Sequence, residues 1–123
     1  MQNRVTLHQI TEAIGAHGAW KMRLRNAIRS RSSDITSATA SCDDKCAFGQ
    51  WLHGPDIDAA TRSGVPYGVI RRLHADFHRS AGNVLFLVER GQAEEAEAAM
   101  NGEFTERSEK LVRALNKWKG ELL

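Results

Sequence analysis

Proline is scarce in this chain, two in 123 residues, so little interrupts a run of helix. Cysteine is equally scarce. Two thiols, Cys42 and Cys46, make no disulfide framework, which leaves metal binding or reactivity as their chemistry in a reducing compartment. The formal net charge is only +2, too small to argue for nucleic acid or an anionic membrane as partner. No apolar run approaches the roughly 18 residues of a membrane span, and MQNRVTLHQI lacks the apolar block of a signal peptide. These absences predict a cytoplasmic protein. No repeat, no low-complexity segment and no strand pattern is present. What remains is an ordinary globular composition, 41% hydrophobic and 26% charged, on a chain long enough for one domain over residues 1–123.

Apolar residues recur at steps of three and four. Leu7, Ile10, Ile14, Leu24 and Ile28, widened by Ala13, Trp20 and Ala27, predict a long amphipathic helix over about residues 4–31. Ser30–Ser41 is rich in Ser and Thr, and fraying is expected there. Asp43 or Asp44 is a candidate cap for a short helix through Gly49-Gln50-Trp51, ended by Gly54-Pro55. Residues 55–65 read as a polar connection. Pro66 suits the start of a further long helix, with Ile70, Leu73, Phe77, Ala81, Val84, Leu85 and Val88 as its stripe and Gly91 as its C-cap. A last helix runs from about Gln92 to Trp118, with Ala96, Met100, Phe104, Leu111, Leu115 and Trp118 on one face and a Glu- and Lys-rich solvated face opposite. The expected fold is all-α: an antiparallel four-helix bundle with an additional short helix carrying Cys46.

Three histidines fall on apolar faces. His17 lies on the stripe of the first helix, between Ile14 and Leu24. A lone inward histidine is more often a hydrogen-bonded core residue than a ligand. His74 and His78 in LHADFH are spaced i, i+4, which projects both rings from one helical face and is a common zinc-chelating pattern. Their plainer reading is one core and one surface histidine. The metalloprotease helix is excluded, because Ala75 and not Glu follows His74. Cys46 could be a small buried hydrophobe. Joined to the three imidazoles, it completes a four-donor tetrahedral set, with Phe48, Trp51 and Leu52 available to anchor its segment and Gly49 to permit close approach.

HGAWK at 17–21, CAFGQWLHGP at 46–55 and HADFH at 74–78 together resemble the bacterial chemoreceptor zinc-binding (CZB) domain family. The resemblance implies a zinc site of three His and one Cys. Carried over by motif, the metal ligands are His17, Cys46, His74 and His78, at intervals of 29, 28 and 4 residues. It also implies a cytoplasmic helical bundle that forms a homodimer and controls a chemoreceptor or a diguanylate cyclase output. No such output region fits within 123 residues, so a stand-alone or excised domain is expected.

Cys42, four residues before Cys46, reads as a packing or surface residue, with a redox pair as the alternative. His8, His53 and the Arg71-Arg72 pair read as ordinary solvated residues. Asp34, Asp43, Asp44 and Asp76 are candidates to orient the histidines, and Trp20 and Trp51 to wall the site. The expected function is a non-enzymatic, zinc-responsive regulatory module in which the short helix docks or releases with Cys46. An oxidant sensor using the same thiol is the alternative. A zinc hydrolase would need an open coordination position and a base, and neither is evident.

Overall fold

The computed structural model describes residues 2–123, with side chains from residue 4 onward. Among these residues every regular element is helical, so the chain is an all-α bundle. Its first long rod joins α1 (Gln2–Gly18) to α2 (Trp20–Ser30). Ala19 between them keeps right-handed helical angles, its N–H bonds Gly15 O at 3.1 Å, and Arg23 N–H bonds Ala19 O at 3.3 Å. The rod therefore behaves as the single helix that the periodicity predicts. It stops where Arg31 turns left-handed, at φ 59°, and returns its N–H to Ala27.

The second rod is α6 (Val65–Glu89). Gly64 is its N-cap and Pro66 sits in its first turn. At its end Gly91 (φ +74°) bonds Val88 O and Gln92 bonds Leu87 O, the paired 5→2 and 6→1 bonds of a Schellman cap. The third rod consists of α7 (Ala93–Ala99), a π-helical turn (Met100–Phe104) and α8 (Thr105–Leu122). The turn has a cause in the sequence. Ala96, Met100 and Phe104 repeat every four residues, and each such step overshoots a regular α-turn by about 40°. A wider turn absorbs the drift and keeps all three buried.

The short connection after Glu89 makes α6 antiparallel to the third rod, and α1 and α2 pack on α8 and α7 respectively. The first two rods therefore run parallel to each other. Parallel neighbours cannot be joined by a tight turn. Residues 31–64 supply the crossover, and they contain α3 (Ser37–Ala40), α4 (Ala47–His53) and α5 (Ala59–Arg62). The Ser/Thr-rich stretch expected to fray is thus partly helical. Thr36 caps α3, and Glu89 accepts bonds from the Ser37 N–H at 2.8 Å and the Ser37 hydroxyl at 2.6 Å. In the connection expected to be merely polar, Asp58 caps α5 and Ile57 is buried.

A single apolar core runs through all three rods and collects Phe48, Trp51 and Leu52 from α4. Phe77 sits at its centre, fully buried, with ring centroids of Phe104 and Trp20 at 5.2 and 6.4 Å. Emptying such a position typically costs about 3–5 kcal/mol. Gly82 on α6 sets the approach of α3, because a Cβ there would lie 1.8 Å from Ser41 Oγ.

Candidate metal centre

His74 and His78 are one turn apart on α6, and both rings enter the core, at 0% and 2% exposure. His17, on the last turn of α1, meets them from the neighbouring parallel rod and is likewise buried. The fourth donor comes from the crossover. Cys46, and not Asp43 or Asp44 as expected, is the N-cap of α4, and its thiol sulfur accepts the Gly49 N–H at 3.3 Å. Gly49 has a second duty. A Cβ at this position would fall 1.6 Å from the backbone oxygen of Asp43, so only glycine lets the turn before Cys46 fold back on α4. The C-x-x-G spacing places the thiol and closes the turn beneath it.

The Nε2 atoms of His74 and His17 lie 3.0 Å apart, and those of His78 and His74 lie 3.1 Å apart. Cys46 Sγ is 3.4, 3.5 and 3.9 Å from Nε2 of His74, His78 and His17. All four donor atoms fall within 4.8 Å of one another. A zinc tetrahedron with ordinary bond lengths has N···N edges of about 3.3 Å and S···N edges of about 3.6 Å. The cluster therefore has the size and the donor chemistry that zinc requires.

Backbone carbonyls orient two of the rings. His17 Nδ1 lies 2.8 Å from Ala13 O, and His78 Nδ1 lies 3.0 Å from Ala40 O. A carbonyl only accepts, so each Nδ1 carries the proton and each Nε2 turns a lone pair towards its neighbours. His74 Nδ1 is buried without a hydrogen-bond partner. None of the four candidate carboxylates bonds a ring of the cluster, and Asp44 is exposed. Asp34 faces Arg23, Asp76 pairs with Arg79 and Asp43 pairs with His53.

Burial also keeps the imidazoles neutral. Desolvation lowers the His17 pKa to about 4, against a smaller upward pull from the Ala13 bond. It lowers His74 to about 2, with His78 and His17 adding repulsion, and it lowers His78 as well. Burial pushes the Cys46 thiol up, while the Gly49 N–H offsets part of that rise. Three neutral imidazoles and a thiol that must lose its proton are the protonation states a soft cation exploits.

A family model described as the chemoreceptor zinc-binding domain matches residues 17–85, more than half of the chain. The chain belongs to this family. As a CZB domain it is a zinc-binding sensory module, with Zn2+ as its cofactor. The matched segment begins at His17 and contains Cys46, His74 and His78. No curated protein and no solved structure matches the chain. No helix among the described residues is long and apolar enough to cross a membrane.

Around the four donors, the Phe48 ring stands T-shaped to His17 and His74, and the Phe77 ring to His17 and His78. Trp20 closes the His78 side, as expected. Trp51 is one layer further out than expected, stacked on Phe48 at 5.7 Å and beside Trp118 at 6.3 Å. Cys42 is a free thiol turned back onto α3, donating to Ala38 O. His8 stays on the surface beside Glu12. His53 and Arg71 are exposed, in keeping with the sequence reading, and in addition they bond to each other. Only their three-dimensional contact reveals them. Eighteen residues of separation leave no periodic signal.

Proposed function

We propose that His17, Cys46, His74 and His78 together hold one zinc ion, and that the CZB domain, a single unit over residues 1–123, regulates a partner according to whether Cys46 is engaged. The observation that carries this reading is the convergence of three Nε2 atoms and one part-buried thiol sulfur, with two ring tautomers set by backbone carbonyls. Zinc bound there supplies the positive charge that keeps the Cys46 sulfur ionised. The chain's own residues do the rest. The histidines sit on two long rods and hold their positions by packing. Cys46 rides on seven-residue α4 in the crossover, the element best suited to move as a unit. Engaged, the thiol draws the start of α4 over the imidazoles. Released, it frees the turn from Asp43 to Cys46, a two-state element of the kind a signal needs. Four protein donors fill a tetrahedron, which supports a regulatory and not a catalytic role. The module acts in the cytoplasm, as a homodimer, on a chemoreceptor or diguanylate cyclase output.

The test is metal content and chelator competition for the parent and for Cys46→Ala. About one zinc per chain is expected in the parent. The variant is expected to lose zinc to a weak chelator while keeping its helical circular dichroism. Equal retention by both proteins overturns the assignment of Cys46.

A second reading, oxidant sensing at the same thiol, is favoured by one observation. Cys46 and His17 line a cleft of about 190 Å³, together with Gln9 and Glu12. A peroxide can reach the sulfur there. The thiolate attacks one peroxide oxygen, the O–O bond breaks, hydroxide leaves and a sulfenic acid remains on Cys46. Mass spectrometry after mild peroxide treatment decides it, since an unmodified Cys46 sinks this reading.

A further inference from the structure

The crossover that carries Cys46 is fastened to α6 by three polar side chains outside the donor cluster. Arg71 Nη2 lies 3.2 Å from His53 Nδ1, and His53 Nε2 lies 3.1 Å from Asp43 Oδ2. A guanidinium can only donate, so His53 Nδ1 accepts. The ring proton then sits on Nε2 and is donated to the Asp43 carboxylate. The relay thus has one direction, Arg71 to His53 to Asp43. Its members come from three different places. Asp43 is in the turn three residues before Cys46, and its backbone oxygen is the atom that Gly49 accommodates. His53 is the last residue of α4. Arg71 lies on α6, less than one turn before His74. Both ends of the unit that bears the thiol are therefore tied to the helix that bears two imidazoles. The relay lies at the surface: the Asp43 and His53 side chains are 27% and 30% exposed, and Arg71 is exposed.

A separate contact bears on what this relay does. The Tyr67 hydroxyl donates to Leu52 O at 2.5 Å, which docks the C-terminal end of α4 on α6 independently of the relay. Removing the relay therefore leaves α4 attached and frees chiefly the turn from Asp43 to Cys46. We propose that Asp43, His53 and Arg71 are positioning residues that hold the Cys46 thiol over the three histidines, an inference that rests on the four-donor reading above.

The test uses the full chain carrying Cys42→Ser, whose hydroxyl keeps the bond to Ala38 O and leaves Cys46 as the one thiol. Two quantities are read: zinc affinity by competition with a chromophoric chelator, and the rate at which the metal-free thiol reacts with an aromatic disulfide reagent. His53→Leu and Arg71→Met are expected to weaken zinc about tenfold and to speed the thiol reaction several-fold. His53→Gln should stay within about twofold of the parent, because its amide oxygen accepts from Arg71 and its NH2 donates to Asp43. The double variant should be no weaker than the worse single one, since both cut the same relay. A mere packing role for His53 would not be rescued by Gln and would not be matched by Arg71→Met. Parent-like affinity in Arg71→Met, or Gln behaving like Leu, overturns the proposal. If His53→Leu does not fold, Arg71→Met carries the decision. Cys46→Ala in the same series separates the two levels. Retained affinity there overturns the four-donor reading, whereas loss there with parent-like Arg71→Met overturns the relay alone.

Discussion

Replacing Gly49 by alanine adds one carbon at the tightest point of the Cys46 turn. That carbon would sit 1.6 Å from Asp43 O and 2.8 Å from the Asp43 carbonyl carbon, both backbone atoms that no rotamer can move aside. Separation to ordinary contact distance, 3.4 Å, requires α4 and the turn to part by about 1.8 Å. Cys46 is the hinge between those two pieces, so its sulfur shifts by a comparable amount. Metal–ligand distances tolerate only about 0.2 Å. Overpacking of this kind costs about 1–3 kcal/mol, a fall in Tm of about 4–15 °C for a domain of this size. Zinc affinity should drop about 10–100-fold, as it does when the support of a ligand is lost. Thermal melts with and without zinc, together with chelator competition, measure both effects. The control is Gly120→Ala, where a Cβ meets nothing within 4 Å and helix propensity favours alanine by about 0.5–1 kcal/mol. Parent-like zinc affinity and an unchanged metal-free Tm in Gly49→Ala would refute the argument that glycine is needed to seat the thiol.

The metal-free protein should lose stability as pH falls. His17 at about 4 and His74 at about 2, with His78 also lowered, bind fewer protons folded than unfolded. Their contribution is therefore complete above the unfolded value of about 6.5 and declines below it, by up to about 1.4 kcal/mol per pH unit for each group. Urea midpoints between pH 7.5 and 4.5 test this, and a flat profile contradicts it. Gly82→Ala pushes a methyl to 1.8 Å from Ser41 Oγ and 3.0 Å from Ser37 O, so α3 must lift from α6 and take the Ala40 carbonyl away from His78. A stability loss of about 1–3 kcal/mol with weakened zinc binding is expected by denaturation and chelator competition. Weaker stability with unchanged zinc binding would show that the Ala40 bond does not matter to the site.

The long rods were legible because amphipathic spacing persists over many turns, as in Ile70, Phe77, Ala81 and Val88. His74 and His78 were legible for the same reason, since i, i+4 on a buried face leaves one geometry. The short helices were not. Four residues of α3 or α5 carry no period, and α3 depends on Glu89, a partner 52 residues away. The cap of α4 was misread because a thiol is rarely the capping group, and Asp43 and Asp44 are stronger formers by propensity. Trp51 was placed too near the donors because α4 presents Phe48 to the imidazoles first. The parallel course of the first two rods depends on how the crossover packs, which no local pattern encodes.

That crossover also sets the order in which the donors can meet. His74 and His78 are four residues apart and come into register as soon as their helix forms. Cys46 is 29 residues from His17 and 28 from His74, so each approach closes a loop whose entropic cost is on the order of 3–4 kcal/mol. The two-histidine clip needs one helix alone, whereas the complete cage needs the assembled bundle, so its four-donor affinity reports on the fold of residues 17–78 as a whole.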